Sequence, residues 1–379
     1  MEHLKSIPST VQIKRRNRIA VLRAILKAEN ITKPELSAVT QLSLPTVTQA
    51  TNELCDMGLV QEAGIIASTG GRRPQTYRPL SNAKIVIGID ITRNHLRISA
   101  VNLKKEVVAS QHFDFRAYNM STETEDGVLR TYNGFLLEYN IDKSKIINIG
   151  ISLPGILDRE NCMLKYSHVL SLKQPYSLKR LASLFSAPVY FQNDANSGCL
   201  SECYFPDTPK SFVYVSLSNS IGGALISDGK LFEGSEHKAL EIGHMTVVPD
   251  GKPCYCGHKG HYDAYGSALI LSGAADGSLP IFFSELSRGN QQYTALMDEY
   301  LQHLAHLIYN LRICFDEPVV LGGYVGGYLG PYLNTIRQKI KDCSLFDDND
   351  DYITISHYHF EAASVGIAKY LIEQYITGL

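Results

Sequence analysis

The sequence predicts an α/β protein in which a winged helix-turn-helix domain precedes a two-lobed α/β body. Three amphipathic helix patterns follow one another within residues 16–58. Apolar strand patterns then alternate with helix patterns from residue 84, and a comparable alternation starts again after residue 211. We expect an N-terminal domain with a basic linker at 1–80, a first lobe at 81–192 and 361–379, and a second lobe at 193–360.

The N-terminal domain opens with a predicted helix over residues 16–28, whose apolar side chains recur at spacings of three and four: Ile19, Leu22, Ile25 and Leu26. A second helix is expected after Thr32, which can cap it, with Glu35 completing a capping box. Leu36 and Val39 should then face the core. A short turn after this helix favours a helix-turn-helix arrangement.

The third helix is predicted to begin near Pro45 and to stop at Gly58. In a helix-turn-helix, the first residues of this helix face base edges in the major groove. That geometry nominates three polar residues as DNA contacts: Thr46, Thr48 and Gln49. The alternative is a small helical protein-interaction domain whose basic face is only solvated.

Two short strand patterns around Gly64, at 59–62 and 65–68, predict a wing. The sequence Gly-Gly-Arg-Arg-Pro follows at 70–74, and Arg72 and Arg73 can enter an adjacent minor groove. Residues 1–80 hold eleven Lys and Arg against six Asp and Glu, a surplus of five positive charges in a chain whose net charge is −2. A basic end on an acidic body indicates a polyanionic partner at that end.

Composition limits the class of protein further. The 379 residues contain no apolar run of about 18 residues, and the N-terminus lacks the apolar stretch of a signal peptide. We therefore expect a cytoplasmic protein without a membrane partner. Its eight cysteines are scattered without a disulfide-like framework, which is typical of a reducing compartment.

In the predicted body, apolar strands end in polar residues, which is where α/β folds place ligands. A strand at 85–90 ends in Asp90, and a strand at 189–192 is followed by Asn193 and Asp194. Three strands predicted in succession, at 85–90, 96–102 and 106–115, are how an actin-like lobe begins. Two such lobes enclose a cleft, where we expect the ligand.

A metal site is predicted at 244–261, where soft ligands are concentrated. We propose a structural zinc bound by two histidines and two cysteines: His244, Cys254, Cys256 and His261. His258 could replace His261 as the fourth ligand. The alternative is a glycine-rich surface turn that carries two reduced thiols.

These motifs together resemble the ROK family, which groups transcriptional repressors with sugar kinases. The likeness is to the repressor branch with an N-terminal winged helix, and it spans essentially the whole chain. It rests on the helix-turn-helix with its Gly-Gly-Arg-Arg-Pro linker, on Leu153-Pro-Gly155, on Asn193-Asp-Ala-Asn196, on Glu241-x-Gly-His244 and on the Cys-x-Cys-Gly-x-x-Gly segment at 254–260. The resemblance implies an actin-like ROK domain in the body.

The resemblance also implies roles for individual residues. Four of them are expected to bind sugar hydroxyls, and His244 also ligates zinc: Asn193, Asp194, Glu241 and His244. Asp194 is the general base in kinase members. Where the family has a sugar-contacting glutamate after the zinc ligands, this chain has Asp263, whose shorter side chain puts a glucose-type preference in doubt.

The loops that hold phosphate in the family's kinases depart from their usual form. The first loop reads Asp-Ile-Thr-Arg-Asn at 90–94, without the usual glycine, and the second reads Ser-Asn-Ser-Ile-Gly-Gly-Ala at 218–224. We therefore expect no enzyme activity. Asp194 then persists as a plain hydrogen-bond acceptor, and Asn193 can be only a cap at the strand end.

The sequence as a whole predicts a sugar-responsive repressor of carbohydrate genes, of the xylose or hexose type. A monosaccharide bound between the lobes would release operator DNA, and the resemblance implies a homodimer or a dimer of dimers. One alternative is a bifunctional kinase that phosphorylates its sugar with ATP. The other is a metal- or redox-sensing regulator in which Cys254 and Cys256 carry the signal.

Overall fold

A computed structural model describes residues 9–65, 75–115, 117–345 and 351–379. The N-terminal domain consists of three helices and three short strands: α1 (Thr10–Lys27), β1 (Ile31–Thr32), α2 (Lys33–Thr40), α3 (Leu44–Asp56), β2 (Val60–Ile65) and β3 (Gln75–Pro79). The strands form an antiparallel sheet in the order β1-β3-β2. This is the predicted winged helix-turn-helix.

Capping side chains determine where the helices of this domain begin. Helix α1 starts six residues before the predicted position, because Ser9 and Gln12 form a capping box. The predicted capping box of α2, between Thr32 and Glu35, is confirmed. Leu36 is buried as expected, but Val39 is 67% exposed, so the prediction that it faces the core was wrong.

The wing differs in detail from its prediction. One strand, β2, runs through Gly64 to Ile65, with an irregularity between Glu62 and Gly64. Residues 66–68 of the second predicted strand lie outside the described residues. Its partner β3 lies beyond the predicted linker at 70–74. Arg72 and Arg73, nominated as minor-groove contacts, lie outside the described residues.

The first lobe contains a five-stranded sheet and a smaller three-stranded one. Its elements are β4 (Ile85–Ile91), β5 (His95–Asn102), β6 (Val107–Asp114), α4 (Thr122–Glu138), β7 (Ile146–Leu153), β8 (Ile156–Asp158), β9 (Met163–Tyr166), β10 (Tyr176–Ser177), α5 (Lys179–Ser183), β11 (Val189–Asn193) and α6 (Asp194–Glu202). The large sheet has the order β11-β7-β4-β5-β6. Strands β4 and β11 lie within one residue of their predicted limits, 85–90 and 189–192.

The second lobe repeats the five-stranded pattern. Its elements are β12 (Phe212–Leu217), β13 (Ile221–Ser227), β14 (Lys230–Phe232), α7 (Asp263–Gly266), α8 (Ala268–Gly273), α9 (Leu279–Ser287), α10 (Gln291–Phe315), β15 (Val319–Gly322), α11 (Gly323–Gly326), α12 (Leu333–Lys341) and β16 (Ile353–Ile355). The sheet has the order β14-β13-β12-β15-β16. The domain limits 1–80, 81–192 with 361–379, and 193–360 stay predictions.

Two helices lie between the sheets. The C-terminal helix α13 (Ala362–Gly378) packs on the first sheet, and α6 packs on the second. The two helices cross where a Cβ on Gly366 would meet the carbonyl oxygen of Ser197 at 1.8 Å. Only glycine permits this approach of two backbones. The order of the layers is therefore the sheet of the first lobe, α13, α6 and the sheet of the second lobe.

The N-terminal domain packs against the far end of α13. Arg15 donates a hydrogen bond to the carbonyl of Thr377 at 2.6 Å, Arg18 donates to the carbonyl of Leu379, and Arg23 pairs with Glu373. One buried apolar cluster includes residues of α1, α3, β4, β5 and α13. Among the described helices, none combines the length and the apolar character needed to cross a membrane.

Candidate functional site

A cavity of about 130 Å³ lies in the cleft between the two lobes. Four sequence-predicted residues line it together: Asn193, Asp194, Glu241 and His244. The first two stand at the junction of β11 and α6. Glu241 precedes a short 3-10 turn at 242–244, and His244 is its last residue. Two segments 47 residues apart in the chain thus contribute to one site.

Asn193 has two structural contacts in the cleft. Its side-chain oxygen caps α6 by accepting from the backbone N–H of Asn196 at 3.0 Å, and its amide donates to the carbonyl of Gly155 at 3.1 Å. The cap was the alternative role foreseen for Asn193. Since Gly155 belongs to the loop after β7, Asn193 also ties this loop to the start of α6.

The two carboxylates of the cleft differ in exposure, but both have raised pKa values. Burial raises the pKa of Asp194, while the backbone N–H of Ala195 opposes the rise by donating to Oδ1 at 3.0 Å. More than a third of the surface of Glu241 stays open, but the surrounding walls still restrict its hydration. This burial, followed by the charges of Asp194 and Asp263, raises the pKa of Glu241 to about 7. Ligand hydroxyls would provide the donors that water does not.

Asp263 has a different position from the other predicted sugar ligands. It is buried, it does not line the cleft cavity, and its Oδ1 accepts from the backbone N–H of Ile221 at 2.6 Å. Burial raises its pKa to about 6. Its observed contact supports the start of β13, which forms a wall of the cleft.

Two aromatic residues of the cleft were not predicted. Tyr255 and His168 stack with ring centroids 3.8 Å apart, and both line the cavity. The Tyr255 hydroxyl also lies 3.2 Å from Nε2 of His244. Its place between the two proposed zinc cysteines was the only signal in the sequence, and that signal pointed to the metal rather than to the cleft.

The predicted metal ligands converge into one cluster. The ligand atoms of His244, Cys254, Cys256 and His261 all lie within 4.8 Å of one another. Sγ of Cys254 is 3.9 Å from Nδ1 of His244, and Sγ of Cys256 is 3.2 Å from Nδ1 of His261. A tetrahedral zinc with S and N ligands requires separations of roughly 3.3–3.8 Å. The two observed S···N distances lie about 0.1 Å outside this range, so a small adjustment of the side chains would let this Cys and His set hold the metal.

The fourth member of this cluster is His261. Nδ1 of His258 is 3.7 Å from Sγ of Cys256, but His258 is not part of the four-residue cluster. Burial and the neighbouring His261 lower the pKa of His244. The imidazole therefore stays neutral, which is the form that binds a metal.

A smaller cavity of about 80 Å³ adjoins Asp194 on the side of the altered loops. Arg93, Asn94, Ser218, Tyr324 and Phe360 are among its walls. Arg93 donates to the hydroxyl of Ser171 at 3.0 Å. Burial and the charge of Asp194 raise the pKa of Asp90, the carboxylate at the base of this cavity, to about 7.

Helix α3 presents the predicted DNA contacts at its N-terminal end. Gln49 is exposed, while Thr46 and Thr48 are half-buried. The Thr46 hydroxyl is 2.8 Å from that of Ser43, the N-cap of α3, and Gln49 donates to Glu53 at 3.0 Å. The exposed face formed by Pro45, Thr48, Gln49 and neighbouring residues is open. It has the form of a recognition helix.

Together these features define a two-lobed actin-like protein with a winged helix-turn-helix at its N-terminus. The chain belongs to the ROK family, whose model matches residues 86–374. A second model, described as winged helix-turn-helix DNA-binding, matches residues 14–61.

Among curated relatives, the chain is similar to a xylose repressor of Caldicellulosiruptor bescii. The two are 30% identical over 266 residues, which cover 68% of this chain and 65% of that protein. The chain therefore spans just under two thirds of this relative's length.

Solved structures share the fold at lower identity. A ROK family transcriptional regulator described as a homologue of the E. coli MLC protein has a TM-score of 0.75 at 22% identity, covering 96% of this chain and 97% of that one. A ROK family glucokinase from Streptomyces griseus, in complex with glucose and AMPPNP, has a TM-score of 0.64 at 20% identity, covering 76% of this chain and 99% of that one. Regulators and kinases therefore share this architecture.

Proposed function

We propose that the protein is a sugar-responsive DNA-binding regulator that represses carbohydrate genes of the xylose or hexose type. One observation carries the proposal: the polar cleft at Asn193, Asp194, Glu241 and His244 lies in the same chain as an open recognition helix. The similarity to a xylose repressor supports this combination of sugar and DNA.

In this proposal a monosaccharide binds in the cleft. Asp194 and Glu241 accept hydrogen bonds from its hydroxyl groups, and His244 contacts a further hydroxyl through Nε2. The raised pKa of Glu241 supports a role as acceptor, because two hydroxyl donors stabilise the carboxylate that burial disfavours. Asp263 acts from behind the cleft wall, through Ile221, rather than through a direct sugar contact.

A structural zinc would be held by His244, Cys254, Cys256 and His261. The convergence of four protein ligand atoms, the number that a closed tetrahedral site uses, supports a structural metal. With Nδ1 of His244 on the metal, Nε2 carries the proton and points to the cleft, where Tyr255 now meets it at 3.2 Å. The metal thus orients a sugar ligand.

Helices α6 and α13 would connect the sugar to the DNA. Asp194 is the first residue of α6, α6 crosses α13 at Gly366, and α13 meets α1 through Arg15, Arg18 and Arg23. A sugar that draws the lobes together shifts α6 against α13 and changes the position of the DNA-binding domain. In a homodimer or a dimer of dimers, such a shift alters the spacing of the recognition helices.

We propose further that this chain is a sensor without kinase activity. In this proposal Thr92 and Arg93 stand where kinase members have a glycine-containing loop, so side chains replace the close backbone approach that phosphate binding needs. The alternative function is a ROK-type sugar kinase, favoured by the retained Asp194 and by the glucokinase fold.

The test of the repressor proposal is binding of the full chain to its own upstream DNA at fixed salt, with and without free pentoses and hexoses and their phosphates. We expect one sugar to release the DNA and Asp194→Asn to abolish that release without weakening DNA binding. If no sugar changes the affinity and zinc or an oxidant does, the metal- or redox-sensing alternative is correct. ATP turnover with the same sugars, lost in Asp194→Asn, would establish the kinase.

A further inference from the structure

A second and larger cavity, of about 1070 Å³, opens where α1, the two lobes and α13 meet. It is distinct from the sugar cleft. Helix α6 connects the two, because Asp194 at its start lines the cleft and Cys203 to Phe205, just after its end, line this cavity. Nine helical residues separate the two by roughly 13 Å.

The walls of this cavity are strongly cationic. Eight basic side chains line it against three glutamates, and the basic ones are Arg23, Lys27, Lys104, Lys105, Arg159, Lys210, Lys230 and Lys369. All three glutamates are engaged: Glu373 by Arg23 and Lys105, Glu233 by Arg159 and Gln192, and Glu106 by Asn102. A surplus of five positive charges is therefore left without counter-ions in the walls.

Lys369 is the central feature of this cavity. The residue is only 4% exposed, and it forms no hydrogen bond or ion pair with any residue that the structure describes. Its ammonium lies 4.5 Å from the ring centroids of both Phe205 and Tyr358. A buried charge without a partner is unfavourable, and cation–π contacts offset only part of that cost.

The charge of Glu202 favours the protonated form of Lys369, but no hydrogen bond or ion pair joins these two residues. Glu202 accepts from the Ser356 hydroxyl at 2.7 Å and from Nδ1 of His357 at 2.7 Å, so both of its oxygens are engaged. Burial lowers the pKa of Lys369 to about 8, which leaves the ammonium largely protonated at pH 7. The cavity thus presents a largely buried ammonium that is mostly protonated at pH 7.

We propose that this cavity binds a phosphorylated small metabolite, with its phosphate on Lys369. Charge-assisted hydrogen bonds from the ammonium to phosphate oxygens replace the missing partner. The cavity exceeds a bare phosphate in size and has aromatic walls at Tyr190, Tyr204 and Tyr370, which suit an organic body. A sugar phosphate and a nucleotide share this chemistry.

A ligand in this position would act as a second effector. It would lie against Arg23 and Lys27 of α1 and against Lys369 of α13, so it would bridge the DNA-binding domain and the helix that receives the sugar signal. We expect it to hold α1 on α13 and to change DNA affinity without entering the sugar cleft. This inference does not depend on the sugar proposal.

The test is calorimetric titration of the full chain, without DNA, with inorganic phosphate, glucose 6-phosphate and ADP. We expect at least one of them to bind, and Lys369→Met to weaken that binding by about tenfold or more. Asp194→Asn, which alters the sugar cleft, should leave it unchanged. Lys339→Met is the matched control, because Lys339 is ion-paired to Asp298 at 2.8 Å in the second lobe.

Removal of a buried lysine can affect folding, so a second variant is needed. Lys27→Gln combined with Lys210→Gln alters only the rim of the cavity and should also weaken binding. The proposal is overturned if no probe binds, or if binding survives in both the Lys369 and the rim variants. It is equally overturned if binding is lost only in Asp194→Asn, since the phosphate then occupies the sugar cleft. Loss of sugar release with retained phosphate binding would refute only the repressor proposal.

Discussion

The phenol ring of Tyr255 stacks on the imidazole of His168 across the cleft, with centroids 3.8 Å apart and planes 12° from parallel. The two residues come from opposite lobes, and the Tyr255 hydroxyl is 3.2 Å from Nε2 of His244. The remaining cavity, about 130 Å³, is smaller than common ligand pockets of roughly 300 Å³ or more. Tyr255 therefore occupies the position in which we place a sugar hydroxyl.

Tyr255→Phe should bind the sugar more tightly. The variant retains the ring stack but frees Nε2 of His244, so the sugar no longer competes with the tyrosine hydroxyl. One hydrogen bond gives about a two- to tenfold gain in affinity. Calorimetry would measure it, with Tyr293→Phe as the control, since that hydroxyl bonds the carbonyl of Ala274 away from the cleft. Weaker binding in Tyr255→Phe would mean that the hydroxyl itself contacts the sugar.

The metal content of two histidine variants should identify the fourth zinc ligand. We expect about one zinc per chain in the unmodified protein and in His258→Ala, but little in His261→Ala. The reason is that His261 belongs to the four-residue cluster and His258 does not. Elemental analysis of the purified proteins is the measurement. Zinc loss from His258→Ala alone would reverse the assignment.

Stability should fall as the pH rises through the range in which Asp90 ionises. Burial and the charge of Asp194 raise the pKa of Asp90 from 3.8 to about 7, so the folded state binds more protons than the unfolded state between these values. The loss is fully present above pH 7 and absent below about pH 4, and it amounts to a few kcal/mol. Asp90→Asn cannot ionise, so it should melt at a higher temperature than the unmodified protein at pH 8. At pH 5 the difference should shrink, and an equal difference at both pH values would refute this origin.

Gly366→Ala should destabilise the protein and weaken the response of DNA binding to sugar. The added Cβ meets the carbonyl oxygen of Ser197 at 1.8 Å and forces α13 away from α6, at about 1–3 kcal/mol. Chemical unfolding and sugar-dependent DNA release are the two measurements. Gly378→Ala is the matched control in the same helix, because a Cβ there meets nothing within 4 Å. Equal effects of the two variants would exclude the helix crossing as the cause.

Gln49→Ala should weaken specific DNA binding. Gln49 is exposed on α3, and its amide can exchange the bond to Glu53 for an adenine edge. We expect about tenfold weaker binding to the operator and unchanged binding to unrelated DNA. Titration of both DNAs at one salt concentration measures the ratio. Gln338→Ala is the control, because Gln338 is an exposed glutamine of α12 that donates to Asp342. An equal loss of binding on both DNAs would mean that Gln49 contacts the phosphates.

Much of the fold follows from local patterns. The strand at 85–91 and the strand at 146–153 are nearly continuous apolar runs, which is typical of strands covered on both faces. The caps at Thr32 and Asn193 are equally local, because each side chain bonds a backbone three residues away. The partner of β2 was missed because β3 lies beyond the Gly-Gly-Arg-Arg-Pro segment at 70–74, and no local pattern specifies that these two strands pair.

The sequence by itself determined the order of the elements, the winged helix-turn-helix and the residue types of the polar cleft and of the Cys/His cluster, since these depend on spacing and on side-chain chemistry. Only the tertiary structure decided which side chains meet. In the folded protein, Asp263 accepts from the backbone N–H of Ile221, and Tyr255 stacks on His168. The tertiary structure also left Lys369 without a partner between two rings. The physical reason is that contacts between distant segments depend on how whole helices and sheets pack. The spacing of apolar residues within one segment does not specify that packing.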